Sequence, residues 1–143
     1  MMHVICGAPC SGKTTYVKQH AKPGELVIDA DKIAEAIGSG VSHQATGVCL
    51  SAALEARRAL IEYARASSTE AWVIHTKPSA SQLAEYRKDG ADVVVLDPGI
   101  EVCKRRAAGR PAGTVEQIER WYRGAVKTNA QQFAELFGQI SEG

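Results

Sequence analysis

Gly7-Ala8-Pro9-Cys10-Ser11-Gly12-Lys13-Thr14 fits the pattern G-x-x-x-x-G-K-[ST] at every defined position. Glycines at the two ends let the backbone curl until successive N–H groups face one concavity. A helix opening at Lys13 adds the positive end of its dipole. Such a loop holds phosphates. Lys13 is placed to reach β- and γ-phosphates as a point charge, and the Thr14 hydroxyl to ligate Mg²⁺. With Thr15, residues 7 to 15 form the expected nucleotide cradle. The ligand it implies is a nucleoside triphosphate, with ATP as donor and GTP as the other option.

A second stretch, VIDADK from Val27 to Lys32, brings two carboxylates to the end of an apolar run. Ligands in open parallel sheets bind at the carboxyl ends of strands. Asp31 is therefore expected near the reacting γ-phosphate, as the base that takes a proton from a hydroxyl acceptor or as a metal ligand. Asp29 can hold Mg²⁺ through water, steady Asp31, or cap the helix expected from Lys32 to Ile37. Asp97 ends a second candidate metal strand, VVVLD, where the following Pro98-Gly99 favours a turn cap over a metal ligand.

The third element is CKRRAAGRP, Cys103 to Pro111. Taken alone, Lys104, Arg105, Arg106 and Arg110 read as a basic helix end. Beside a phosphate loop and an acidic strand end they read as an arginine lid, which stabilises charge spread over transferring phosphoryl oxygens. Arg106 is expected to touch the donor nucleotide.

These groups must be positioned by a scaffold, and its elements are legible. HVIC (His3 to Cys6), ELVIDA (Glu25 to Ala30), AWVIHT (Ala71 to Thr76) and DVVVLD (Asp92 to Asp97) are continuous apolar runs, the mark of strands covered on both faces. Helices are expected over Lys13 to His20, Val48 to Ala66, Ser79 to Lys88 and Thr114 to Phe137. In the second, Leu50, Leu54, Leu60, Ile61 and Ala64 share a face. In the last, Val115, Ile118, Tyr122, Ala125, Asn129 and Phe133 recur at three- and four-residue steps. Trp121 and Tyr122 belong with that packing. Loops are expected over Gly38 to Gly47 and Ala107 to Gly113. Strands alternating with helices imply parallel β-α units with right-handed crossovers.

The chain has 143 residues, enough for one domain, and 45% of them are apolar, which suits a folded core. A net charge of +1 offers no global field for nucleic acid, so any such contact would come from a local patch. No run is long enough to span a membrane and no signal-peptide layout opens the chain, so the expected location is cytoplasmic. Cys6, Cys10, Cys49 and Cys103 lack zinc-ligand spacing and read as reduced thiols. Of these, Cys10 falls where a helix N-terminus can acidify it. The chain has no N-K-x-D for a GTPase switch. It also lacks the length and the catalytic carboxylate pair of an ATP-driven machine.

GAPCSGKTT, VIDADK, Thr76-Lys77-Pro78-Ser79, VVVLDP and CKRRAAGRP follow one another as in small P-loop kinases, and the chain most resembles the kinase domain of phage-type polynucleotide 5′-kinase. The resemblance runs from Met2 to about Tyr122. It implies a three-layer α/β/α P-loop NTPase fold as a single domain over residues 1–143. The parallel sheet would have four to five strands in the order 2-3-1-4, with a basic lid at about 104–113. It assigns Lys13 and Thr14 to donor phosphate and metal, Asp31 to the general base, and Arg105 and Arg110 to the lid. A phage or bacterial setting follows from the same resemblance.

On the acceptor side the residues depart from that family. Its acceptor-gripping arginine, three residues past the base, is Ala34 here, and its strand-end carboxylate is His75, followed by Thr76. Candidates for holding the acceptor are His75, Thr76, His43, Gln44, Arg57 and Arg58. The expected activity is transfer of the γ-phosphoryl group of ATP to a hydroxyl, first of all a polynucleotide 5′-hydroxyl or a related nucleotide. One rival is a kinase of a nucleoside, nucleoside monophosphate, antibiotic or sugar nucleotide. The other is an ATP-binding regulatory module with little transfer. The chain is expected as a monomer or weak homodimer without a membrane partner.

Overall fold

A computed structural model describes residues 1–39 and 47–124. Four strands, β1 (Met2–Gly7), β2 (Leu26–Asp29), β3 (Ala71–Ile74) and β4 (Asp92–Leu96), form one parallel sheet in the order β2-β3-β1-β4. Val4 at its centre pairs with Val73 on one side and Val93 on the other.

Alternation explains why the apolar runs are continuous. In β1, Val4 and Cys6 pack with Ile28, Val73, Ala64 and Tyr86, while Ile5 joins Val17, Trp72 and Ile74 on the opposite face. Both faces are covered, so the consecutive central residues Val4, Ile5 and Cys6 are all apolar. Helix α1 (Lys13–His20) brings Val17 to one face. Helices α3 (Gly47–Ser67) and α4 (Ala80–Lys88) cover the other with Leu60, Ile61, Ala64 and Tyr86. The arrangement is the three-layer α/β/α P-loop NTPase fold. At the edges the covering thins, and the residues of β4 are half-buried or exposed while Val27 of β2 is exposed.

Boundaries follow from local chemistry. Asp29 caps helix α2 (Ala30–Ala34), its Oδ1 accepting the Asp31 N–H at 3.1 Å. The helix therefore opens two residues before Lys32, and continues into a wider turn, Glu35–Ser39, that Gly38 closes at φ 122°. Ser79 and Gln82 form a reciprocal capping box on α4. Strand β3 stops at Ile74, which leaves His75 and Thr76 just beyond it.

The region read as a lid from about residue 104 begins as helix. Asp97 Oδ1 accepts the Gly99 N–H at 3.2 Å and the Tyr122 hydroxyl at 2.7 Å, fixing the turn from which α5 (Ile100–Arg106) starts. Lys104, Arg105 and Arg106 thus form its last turn, and the irregular segment starts at Ala107. Helix α6 (Thr114–Arg123) packs on α5 through Cys103, Ala107, Ile118 and Trp121. Its apolar stripe omits Val115, which is exposed. The expected continuation through Ala125, Asn129 and Phe133 lies outside the described residues, as do His43 and Gln44.

Candidate active site

At the carboxyl ends of the strands the chain leaves a cleft of about 920 Å³. One wall is the loop Pro9–Gly12 running into α1. Its curvature depends on glycine at two points. A Cβ on Gly7 would stand 2.3 Å from Ser11 Oγ and 3.1 Å from the Leu96 carbonyl oxygen, and Gly12 has a left-handed φ of 98°. Cys10 is also left-handed, at φ 66°, so the turn carries strain in a residue other than glycine. Among the described residues, no side chain caps the first turn of α1. Helix N-termini of this kind favour an anion. Ser11 Oγ is buried and has no hydrogen-bond partner among the described residues. These features fit a phosphate-bearing group.

Lys13 Nζ donates to the carbonyl oxygens of Gly7 and Ala8, at 2.8 and 2.7 Å. Burial lowers its pKa to about 8, against the opposing pull of Cys10, Cys103, Asp31 and Asp29. The amine is thus held by weak neutral acceptors in a place where a phosphate would satisfy it better. Thr14 and Thr15 line the same wall.

Asp29 and Asp31 line the cleft across from the loop. Asp29 is buried, and burial raises its pKa, partly offset by the N–H bond from Asp31. Asp31 is exposed. Among the described residues, no cluster of three or more His, Cys, Asp or Glu is arranged as a metal cage. The donor set that is present, the Thr14 hydroxyl with one or two carboxylates, suits a hard cation such as Mg²⁺ that keeps water and phosphate ligands.

The lid arginines divide. Arg106 Nη1 donates to the Cys10 carbonyl oxygen at 3.3 Å and lines the cleft, as does Arg110. Arg105 is exposed and lies outside the lining, because successive helical residues sit about 100° apart. The residue of α5 at the loop is Arg106, one position later than the resemblance implies.

Thr76 and Lys77 line the cleft at the end of β3. The Thr76 carbonyl oxygen accepts the Gly7 N–H at 3.2 Å and the Trp121 indole N–H at 2.8 Å, tying the loop to α6. Trp121 is buried packing and cleft wall at once. His75 is buried beneath the cleft and does not line it. Its ring meets Tyr86 and Arg57, and Arg57 is the one of these three that reaches the cleft. Arg58 is exposed and pairs with Glu55. Ala34 is fully buried.

Gln117 and Arg120 of α6, with Leu50 and Leu54 of α3, also line the cleft, though the sequence did not single them out for it. The α6 pair falls on the helix side opposite the exposed Val115, a relation visible only once the buried stripe is known. Among the described residues, six cations (Lys13, Arg57, Lys77, Arg106, Arg110, Arg120) and two carboxylates line the cleft. A chain of net charge +1 therefore carries a local excess of positive charge in this cleft.

A family model described as AAA domain matches residues 2–134. The chain belongs to this AAA domain family. As an AAA domain it is a P-loop, nucleotide-binding domain of the kinase-like kind, in agreement with the sheet order and the loop at the end of β1. A search of curated proteins found no match. Among the described residues of this AAA domain, no helix is long and apolar enough to cross a membrane.

Proposed function

We propose that this AAA domain is an ATP-dependent phosphotransferase that moves the γ-phosphoryl group to a hydroxyl, with a polynucleotide 5′-hydroxyl or a related nucleotide as acceptor. One observation carries the reading. Lys13 of the glycine loop and Asp31 past β2 line the same cleft. A phosphate-binding cation and a carboxylate base thereby share one cavity.

In this reading the loop and α1 bind the donor phosphates, and Lys13 turns from the Gly7 and Ala8 carbonyls to the β- and γ-oxygens. Asp31 accepts the proton of the acceptor hydroxyl as its oxygen attacks the γ-phosphorus in line, and the bond from that phosphorus to the β,γ-bridging oxygen breaks to release ADP. Arg106 and Arg110 stabilise charge on the transferring group, which is where preorganised cations contribute most. Thr14, with Asp29 or Asp31, would hold Mg²⁺, which when bound neutralises charge across the β- and γ-phosphates.

The positive excess of the cleft favours an acceptor that is itself anionic. The test is transfer of labelled γ-phosphate from ATP to 5′-hydroxyl DNA and RNA, nucleosides and nucleoside monophosphates. Label on the oligonucleotides, with binding that weakens steeply in salt, supports the reading. Label in small acceptors alone would make the domain a metabolite kinase, and ATP binding without any transfer would reduce it to a nucleotide-binding module.

A further inference from the structure

Arg57, like Lys77 and Arg120, is a cation of the cleft that belongs to neither the loop nor the lid, and it is the one on α3. It is half-buried on α3, and its Nη2 lies 3.5 Å from Nε2 of His75. His75 is 5% exposed, and its Nδ1 lies 3.0 Å from the Tyr86 hydroxyl, with the two rings edge to face at 5.9 Å and 88°. Its backbone N–H is anchored on the Ile5 carbonyl oxygen at 3.0 Å.

The chemistry of these three groups fixes their protons. A guanidinium only donates, so the Nε2 facing it must offer a lone pair, and Nδ1 carries the hydrogen toward Tyr86. Burial, with Arg57 beside it, holds the imidazole pKa down to about 4, so this neutral form persists at physiological pH. His75 therefore supports the guanidinium without neutralising it.

Elsewhere on α3, arginines meet carboxylates: Arg58 pairs with Glu55, and Arg65 with Glu62 and Asp89. Arg57 has no carboxylate at ion-pair distance among the described residues. A half-buried guanidinium held by a neutral base and open to a cleft is a receptor for an anion from outside. Its wall identifies which one. α3 packs on α2, the helix that holds Asp31, whereas Lys13, Arg106 and Arg110 come from the loop and the lid.

We propose that Arg57 binds a phosphate of the acceptor beside the hydroxyl to be phosphorylated, and that His75, braced by Tyr86, is the positioning residue that aims it. The assignment to the acceptor rests on the phosphotransferase reading. The shared chemistry is a phosphate, which either substrate could supply, and the test separates the two.

The test is calorimetric titration of the full chain, with Mg²⁺ and a non-hydrolysable ATP analogue present, using adenosine 3′-monophosphate and adenosine. Both ligands carry a free 5′-hydroxyl and only one carries a phosphate. The expected result is at least about tenfold tighter binding of the monophosphate, as for a charge-assisted forked contact. Arg57→Gln should abolish that preference while changing affinity for the ATP analogue less than about twofold. His75→Phe should reduce the preference, and His75→Gln, whose amide oxygen can accept from the guanidinium, should restore part of it. A merely structural role would shift the melting temperature and leave the preference intact.

Equal binding of the two ligands, binding of neither, a preference that survives Arg57→Gln, or an equal loss of analogue binding in that variant would each overturn the proposal. Transfer assays run in parallel keep the two claims apart. Preference without transfer retains the anion site and defeats the kinase reading, and transfer without preference does the reverse.

Discussion

Asp29 accepts the backbone N–H of Asp31 on its Oδ1 at 3.1 Å, so the carboxylate that ends β2 sets the position of the carboxylate that opens α2. A helix cap and the proposed base are thereby placed by a single bond. Asp29→Asn keeps an acceptor in the same position and should leave thermal stability within about 0.5 kcal/mol, whereas Asp29→Ala should cost about 1 kcal/mol. Chemical denaturation of the two variants checks this. Equal losses would remove the cap from the account.

Lys13 yields a prediction whose sign is set by burial. Its pKa falls from the ordinary lysine value to about 8 in the folded chain. Between about 8 and 10.5 the unfolded state binds more protons than the native one, so this group's contribution to stability rises with pH there. Relative to Lys13→Met, the native protein should gain stability as pH is raised across that window. Phosphate binding should also recharge the amine. Calorimetry of ATP binding at pH 8.5, in buffers of different ionisation enthalpy, should show proton uptake.

On the lid, Arg106 touches the Cys10 carbonyl and Arg105 stands outside the cleft. Arg106→Ala and Arg110→Ala should each lower kcat/KM for transfer at least about tenfold, a modest share of what a transition-state arginine can supply. Arg105→Ala should stay within about twofold. Steady-state kinetics of the three variants decides it, and a larger loss at Arg105 would return that residue to the lid.

His75 should make the fold sensitive to acid. Its pKa is lowered from the usual imidazole value to about 4 by burial and by Arg57. Between about 6.5 and 4 the unfolded state holds the extra proton, so the stability that the neutral ring contributes is lost as pH falls through that window. The full effect is on the order of 3 kcal/mol. His75→Gln should flatten the pH dependence of unfolding between pH 6.5 and 4.

The loop was legible because its requirements are local. Gly7, Gly12, Lys13 and Thr14 are fixed by a phosphate's size and charge, and their spacing survives in any context. The strands were legible for a related reason, since sheet faces covered on both sides demand consecutive apolar residues at the strand centres. The acceptor side was not. His75 looks like a cleft residue by its place at the end of β3, and only its packing against Tyr86 shows that it lies beneath the cleft. Arg106 and Arg105 are indistinguishable by composition, and the choice depends on the rotation of a seven-residue helix that the lid reading left out. Leu50 and Leu54 share the apolar stripe of Leu60 and Ile61 in sequence, yet the N-terminal half of α3 overhangs the cleft rather than the core.

The central claim is that Asp31 is the base of a phosphoryl transfer from a nucleotide held by the glycine loop. The most direct measurement compares native protein with Asp31→Asn for transfer of labelled γ-phosphate to a 5′-hydroxyl oligonucleotide, with ATP affinity measured beside it. The account predicts a loss of about 10²- to 10⁴-fold in kcat with ATP affinity little changed. Undiminished transfer by Asp31→Asn would contradict it.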